Sequence, residues 1–295
     1  MSNVDAAPCA PPRLGAHMSI AGGVDRSLER GRRVGCDAIQ IFTKSANQWK
    51  ARPLPADEVA RFRAGRSALG IWPVVAHDSY LINLASPADD LWRKSLDAFT
   101  EELERCEALD IPGLVLHPGA HLGSGEEAGL RRIAAALDEA CRRLPGYKVG
   151  IWLETTAGQG SVLGHRFEQL RLVLDLVQQP ERIGFCFDTC HAFVAGYELR
   201  TPAGYAATWE AFDRLLGLRR LRVIHLNDAK KGLGSHVDRH EHIGKGMLGL
   251  EAFRLLLNDC RLADRPMILE TPKGEDMAED VENLAVLRGL IERPA

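Results

Sequence analysis

The chain has 295 residues, 45% apolar and 26% charged, an ordinary globular balance and a length sufficient for one large core. A formal charge of −3 excludes a protein that coats nucleic acid or anionic membrane through bulk positive charge, although it leaves room for a local site. No stretch approaches the roughly 18 consecutive apolar residues of a bilayer span, and residues 1–12 lack the basic start and apolar core of a signal peptide. A soluble cytoplasmic chain without a membrane partner is expected.

Residues 1–12 (MSNVDAAPCAPP) are small and Pro-rich and read as a disordered tail, leaving 13–295 as a single domain. Beyond the tail, short aliphatic or β-branched runs alternate with amphipathic stretches, the pattern of a parallel sheet wrapped in helices. The predicted strands are Arg13–His17, Ala38–Thr43, Trp72–His77, Gly113–His117, Val149–Glu154, Ile183–Asp188, Leu221–Leu226 and Pro266–Glu270, each followed by a helical pattern. Their ends lie 26 to 45 residues apart, a regularity that suits one α/β domain, a closed (β/α)8 TIM barrel. The rival, an open doubly wound sheet, would carry a G-x-G-x-x-G after the first strand, which is missing. One connection stands out: Asn227 to Met247 spans 21 residues and contains Asp238, Arg239 and His240, and a loop that long is expected to be functional. The seven cysteines are scattered, without C-x-x-C spacing, and read as buried free thiols.

A parallel barrel delivers all its strand ends to one mouth. Here strands three to eight end on His77, His117, Glu154, Asp188, His225 and Glu270, joined by His191 just past strand six and by Asp238 and His240 in the long loop. A single His or Glu at a strand end is most often a solvated polar group. Six in succession would repel one another or remain unsatisfied unless a cation sat among them. Imidazole and carboxylate without thiolate suit Zn²⁺ best, with Mn²⁺ and Fe²⁺ as rivals, and nine donors imply two or three ions. Four carboxylates against three divalent ions leave surplus positive charge, a site for an anion such as phosphate.

The runs GAHMSIAGG (15–23), HDSYLINLA (77–85), LHPGAHLG (116–123), LETTAGQG (153–160), FDTCHAFVAGYEL (187–199), HLNDAK (225–230), VDRHEHIGKG (237–246) and ILETP (268–272) together resemble endonuclease IV, the zinc-dependent apurinic/apyrimidinic endonucleases of base excision repair, from about Leu14 to the end of the last strand and helix. The resemblance implies three zinc ions, with Mn²⁺ as an alternative at one site. His77 and His117 would hold the first. Glu154 would bridge it to a second and position the attacking hydroxide, with Asp188, His225 and Glu270 completing that second site; Glu154, Asp188 and Glu270 are the catalytic carboxylates. His191, Asp238 and His240 would hold the third. The implied reaction is hydrolysis of the phosphodiester 5′ to an abasic site in double-stranded DNA, leaving a 3′-hydroxyl and a 5′-deoxyribose phosphate, by a monomer. Tyr80 and Leu81 match the family's DNA wedge, Gln48 and Arg239 are expected to touch DNA, and His17 is expected to support the metal donors. The loop after the second strand departs from the pattern K-N-x-R-x-W of many relatives: it reads KSANQW (44–49), so Asn47 stands where they carry an inserting arginine and a weaker grip on DNA is expected.

Two alternatives remain. A divalent-metal sugar isomerase or epimerase on the same barrel would have no use for the Asp238–His240 pair or for Tyr80–Leu81. A non-enzymatic zinc protein would be expected to have lost at least one donor, and none is missing.

Overall fold

In the computed structural model, residues 10–292 are described; residues 1–9 of the expected tail, Cys9 included, and residues 293–295 lie outside that range. The elements in chain order are β1 (Arg13–His17), α1 (Arg26–Val34), β2 (Ala38–Phe42), α2 (Ala56–Leu69), β3 (Val74–His77), α3 (Asp89–Leu109), β4 (Gly113–Leu116), α4 (Glu126–Arg143), β5 (Gly150–Glu154), α5 (Phe167–Leu176), β6 (Ile183–Asp188), α6 (Thr189–Val194), α7 (Pro202–Leu216), β7 (Leu221–His225), β8 (Asp228–Ala229), β9 (His240–Glu241), α8 (Gly249–Leu257), β10 (Pro266–Leu269) and α9 (Ala278–Gly289). Strands β1 to β7 and β10 close into one barrel, each pairing with its neighbours in parallel, so no barrel edge is left unpaired.

Several strands are shorter than expected. β2 stops at Phe42, and β3 begins after Pro73, which has no N–H to give to a ladder. His117 and Glu270 each stand one residue past their strand. The long connection after β7 is not structureless, because β8 and β9 pair antiparallel within it.

Successive strand residues face opposite sides. One face of each strand joins the larger core against the helices, where Phe62, Phe99, Phe167, Trp209 and Phe253 are fully buried, each contributing about 1.5–3 kcal/mol by burial. The other face fills the barrel with a separate layer: Ala38, Val75, Val115, Trp152, Cys186, Val223 and Ile268. Gly15 supplies the eighth place, pairing with both Ala38 and Ile268; a Cβ there would lie 1.7 Å from the Ala38 carbonyl oxygen. Trp152 takes up the volume its small neighbours leave, and a Cβ on Gly113 would fall 2.1 Å from its indole. The layer is a solid floor.

Cys36, Cys106, Cys141, Cys186 and Cys190 are free and buried, as expected, whereas Cys260 is exposed. No helix among the described residues is long and apolar enough to cross a membrane.

Candidate metal centre

Two residues beyond each member of the floor comes a polar one: His17, Gln40, His77, His117, Glu154, Asp188, His225 and Glu270. The period of two turns all of them toward the barrel axis one step above the apolar floor. Glu154, Asp188 and His225 are fully buried, His77 nearly so, and the His117 side chain is one-third exposed.

The Asp188–His191 spacing has a local cause. Asp188 caps α6, its Oδ1 accepting the His191 N–H at 2.8 Å, which places His191 on the first turn with its ring over the mouth. The Asp188 Oδ2 accepts from Asn227 Nδ2 at 2.6 Å. His240 is brought in by the β8–β9 hairpin, whose base is held by Asp228. That buried carboxylate accepts four backbone N–H groups: Ala229 (2.8 Å) and Leu248 (2.9 Å) on Oδ1, Gly244 (2.9 Å) and Gly246 (3.1 Å) on Oδ2.

The donors converge in three groups, each with ligand atoms within 4.8 Å of one another: His77, His117 and Glu154; Glu154, Asp188, His225 and Glu270; and His191, Asp238 and His240. Glu154 belongs to two of them. Its Oε2 lies 3.1 Å from His77 Nε2 and 3.5 Å from His117 Nε2, and its Oε1 lies 3.1 Å from His225 Nδ1.

Four of the imidazoles are anchored by one nitrogen, which leaves the other facing the centre. His77 Nδ1–H donates to the Asp78 carbonyl (2.9 Å), His191 Nδ1–H to the Thr155 carbonyl (2.9 Å), His240 Nδ1–H to the Glu270 carbonyl (3.2 Å) and His225 Nε2–H to Gln40 Oε1 (2.8 Å). These partners fix the tautomers. With both Nδ1 atoms so occupied, the Nε2 atoms of His191 and His240 face each other at 3.2 Å, with Asp238 Oδ1 3.2 Å from the first. Two ring nitrogens and a carboxylate oxygen in such proximity call for positive charge among them, a proton in the free protein or a metal ion in the loaded one.

The electrostatics carry the same demand. Burial alone would raise the Glu154 and Glu270 carboxyls, but the surrounding imidazoles outweigh it and hold both well below the usual carboxylate range. Asp238 is likewise held at about 2, against burial, by His191. Burial opposes protonation of His77, yet Glu154 pushes it up to about 10, and His191 and His225 are also raised against burial by neighbouring carboxylates. The potential here is strongly negative and suits divalent ions. The donor set of imidazole and carboxylate fits zinc. Cys186 and Cys190 also come within reach of the donors, but burial pushes both thiols up and keeps them protonated.

Around this centre the expected contact residues lie at the rim. Tyr80 is 68% exposed, its ring 6.2 Å from that of His77 and edge-on to Phe42 at 5.3 Å. Leu81 is half-buried, while Asn47, Gln48 and Arg239 are exposed. His17 lies outside the donor groups, with Nδ1 3.6 Å from Glu270 Oε1.

A family model described as a xylose isomerase-like TIM barrel matches residues 28–288. A curated relative, the probable endonuclease 4 of Chloroflexus aurantiacus, is 58% identical over 281 residues, spanning 95% of this chain and 99% of its own length. Its counterpart in Geobacter sulfurreducens is 54% identical over 280 residues, 95% of each chain. The chain belongs to the endonuclease IV family. The crystal structure of endonuclease IV from Thermus thermophilus superposes with a TM-score of 0.84 at 39% identity, covering 95% of this chain and 98% of the other. As a member of the endonuclease IV family the chain is a metal-dependent endonuclease, a phosphodiester hydrolase. The isomerase alternative is set aside: the barrel is shared with isomerases, the close sequence relatives are not.

Two residues that sequence reasoning passed over complete this endonuclease IV centre. Gln40 is fully buried; its Nε2 donates to Glu270 Oε1 at 2.5 Å and lies 3.1 Å from His17 Nδ1, while its Oε1 holds His225. The signal available was its place two residues beyond Ala38. Asp228 had no comparable signal, since its partners lie up to 20 residues away.

Proposed function

We propose that the chain incises double-stranded DNA on the 5′ side of abasic sites, leaving a 3′-hydroxyl and a 5′-deoxyribose phosphate, with three zinc ions held by His77, His117 and Glu154; by Glu154, Asp188, His225 and Glu270; and by His191, Asp238 and His240. The observation that carries this reading is the convergence of nine donors into three groups sharing Glu154, with the spare nitrogens of His77, His191, His225 and His240 already occupied. When bound, zinc supplies Lewis-acid charge and makes hydroxide available at neutral pH.

The residues do the rest. Glu154 and Glu270 stay ionised as acceptors that hold cations rather than protons, and Asp188, fixed by the His191 N–H and Asn227, offers its carboxylate oxygens beside them. Gln40 and the Asp78, Thr155 and Glu270 carbonyls keep four imidazoles from rotating. The apolar floor beneath the donors excludes water from below, so a phosphate approaches only from the mouth. There, Tyr80 and Leu81 fill the gap left by a missing base, where unstacking costs least, and Asn47, Gln48 and Arg239 contact the strands. His17 supports Glu270. We take the enzyme to be a cytoplasmic monomer, since a duplex must lie across the mouth.

The test uses a duplex with one tetrahydrofuran abasic analogue, with product mapping and metal counting on the same preparation. The expected result is a single cut 5′ to the analogue, a 3′-hydroxyl end and about three zinc equivalents. An uncut duplex with fully loaded protein refutes the reading.

A further inference from the structure

Two rim loops are joined to each other. The Ser79 hydroxyl donates to the Ala46 carbonyl at 2.5 Å, tying the loop that carries Tyr80 and Leu81 to the loop that carries Asn47 and Gln48. Beneath this junction lies a buried pair of opposite charges. Glu102, just past the middle of α3, is fully buried; its Oε1 accepts the Ser79 N–H at 3.2 Å and lies 3.6 Å from Lys44 Nζ. Lys44 is 4% exposed, and its Nζ donates to the Trp49 carbonyl at 3.0 Å and to Glu101 Oε2 at 3.1 Å. Arg105, further along the same helix, donates to the Thr43 carbonyl at 2.9 Å and the Arg52 carbonyl at 3.0 Å, near the two ends of the Asn47 loop. Glu102 Oε2 has no hydrogen-bond partner among the described residues.

A buried ion pair commonly fails to repay its own desolvation, and the best-attested use of such pairs is to fix a register. Here what would be registered is two loops that lie outside the barrel's strand ladders. We infer that Glu102 and Lys44 are positioning residues that hold the Tyr80 and Asn47 loops as one surface for gripping a duplex. The inference rests on the DNA reading above. Neither residue belongs to a donor group, so their effect falls on binding and leaves the chemical step alone.

The experiment compares Glu102→Gln, Glu102→Ala and Lys44→Met with the parent enzyme, all zinc-loaded, on the tetrahydrofuran duplex. It reads KM, the single-turnover rate at saturating enzyme, zinc content, and hydrogen exchange of the amides of residues 79–82. Alanine removes both the acceptor for Ser79 and the charge; it is expected to raise KM about tenfold and speed exchange at Ser79, with single-turnover rate and zinc content unchanged. Glutamine keeps the acceptor and is expected to keep Ser79 protected, with a smaller rise in KM. If KM for Glu102→Ala and Lys44→Met stays within about twofold of the parent, or if the single-turnover rate falls at unchanged KM, the inference is overturned. Should the alanine variant fail to fold, the isosteric pair decides. The KM effects of Glu102→Gln and Lys44→Met must then be non-additive in the double variant, and additivity overturns the inference. A parent enzyme that leaves the duplex uncut refutes the DNA reading instead, and unchanged exchange at Ser79 in Glu102→Ala and Lys44→Met then overturns the clamp on its own.

Discussion

The side-chain amide of Gln40 stands between His225 and Glu270, accepting the Nε2–H of the first at 2.8 Å and donating to Oε1 of the second at 2.5 Å. It therefore sets the tautomer of His225 and leaves Nδ1 facing Glu154 Oε1 at 3.1 Å and Glu270 Oε2 at 3.3 Å. Groups in this position are worth roughly 10- to 100-fold in metal affinity or activity. Gln40→Ala is expected to lose zinc from the Asp188, His225 and Glu270 group to a chelator at least tenfold faster than the parent, about the lower end of that range. Chelator competition followed by metal analysis is the check; parental retention would mean that packing alone holds His225.

Asp228 performs a similar task for a backbone. Its four N–H acceptances tie Ala229 to the segment from Gly244 to Leu248, and thereby close the excursion that carries Asp238 and His240. Asparagine in its place offers one acceptor oxygen and turns an NH₂ toward two of the four backbone donors, of which Ala229 and Leu248 are buried and Gly244 and Gly246 part-buried. Orphaned buried donors cost about 1–3 kcal/mol each. Asp228→Asn is expected to lose about 3 kcal/mol of stability and to bind about one zinc fewer than the parent, with the other groups filled. Chemical denaturation and metal counting test this, and a variant with a full zinc complement argues that the hairpin seats itself.

These two residues also mark where the sequence stopped being legible. Six of the nine donors could be found because imidazoles and carboxylates at the ends of aliphatic runs are rare and repeat with the barrel; His191, Asp238 and His240 stood out only by lying just past the sixth strand and in the one long connection. Gln40 obeys the same spacing from Ala38, but an amide is not a metal ligand, and a strand read through to Thr43 puts the apparent end on the opposite face. Asp228 sits beside His225 and Asn227 in a run whose donors were recognised, yet its partners are backbone N–H groups of a distant segment, which no side-chain pattern encodes. The Lys44–Glu102 contact joins a loop to a helix 58 residues on. Barrel periodicity predicts which residues point inward; it says nothing about which helix reaches up to which loop.

Glu102 gives a pH dependence that can be isolated. Burial, only partly offset by Lys44, pushes its carboxyl from 4.5 up to about 7. In the unfolded chain the group ionises first, so between these two values the native state binds more protons than the unfolded one. The stability it contributes is complete below about pH 4.5 and is lost as pH rises through about 7, a change of about 3 kcal/mol. Unfolding free energies of the parent and of Glu102→Gln, measured from pH 5 to 8 at fixed free zinc, are expected to differ by an amount that moves in the variant's favour with rising pH, because the metal donors are common to both and cancel. Parallel curves would place the Glu102 carboxyl in the ordinary range.

Tyr80 separates grip from fold. A ring that is 68% exposed, edge-on against Phe42 at 5.3 Å and tilted beside His77 at 6.2 Å, contributes little to the free protein, and substitutions of that kind usually change stability by less than about 0.5 kcal/mol. An aromatic ring stacked on a base is worth about 1–3 kcal/mol, or roughly 5- to 150-fold in binding. Tyr80→Ala is therefore expected to leave the melting temperature and zinc content of the free enzyme in place while KM for the abasic duplex rises by about tenfold or more. The ring stands 6.2 Å from His77, so a purely structural contribution would appear instead as zinc lost from the His77, His117 and Glu154 group. Measuring KM beside zinc content tells the two apart: a rise in KM without metal loss assigns the ring to the duplex, and metal loss at unchanged KM assigns it to the centre.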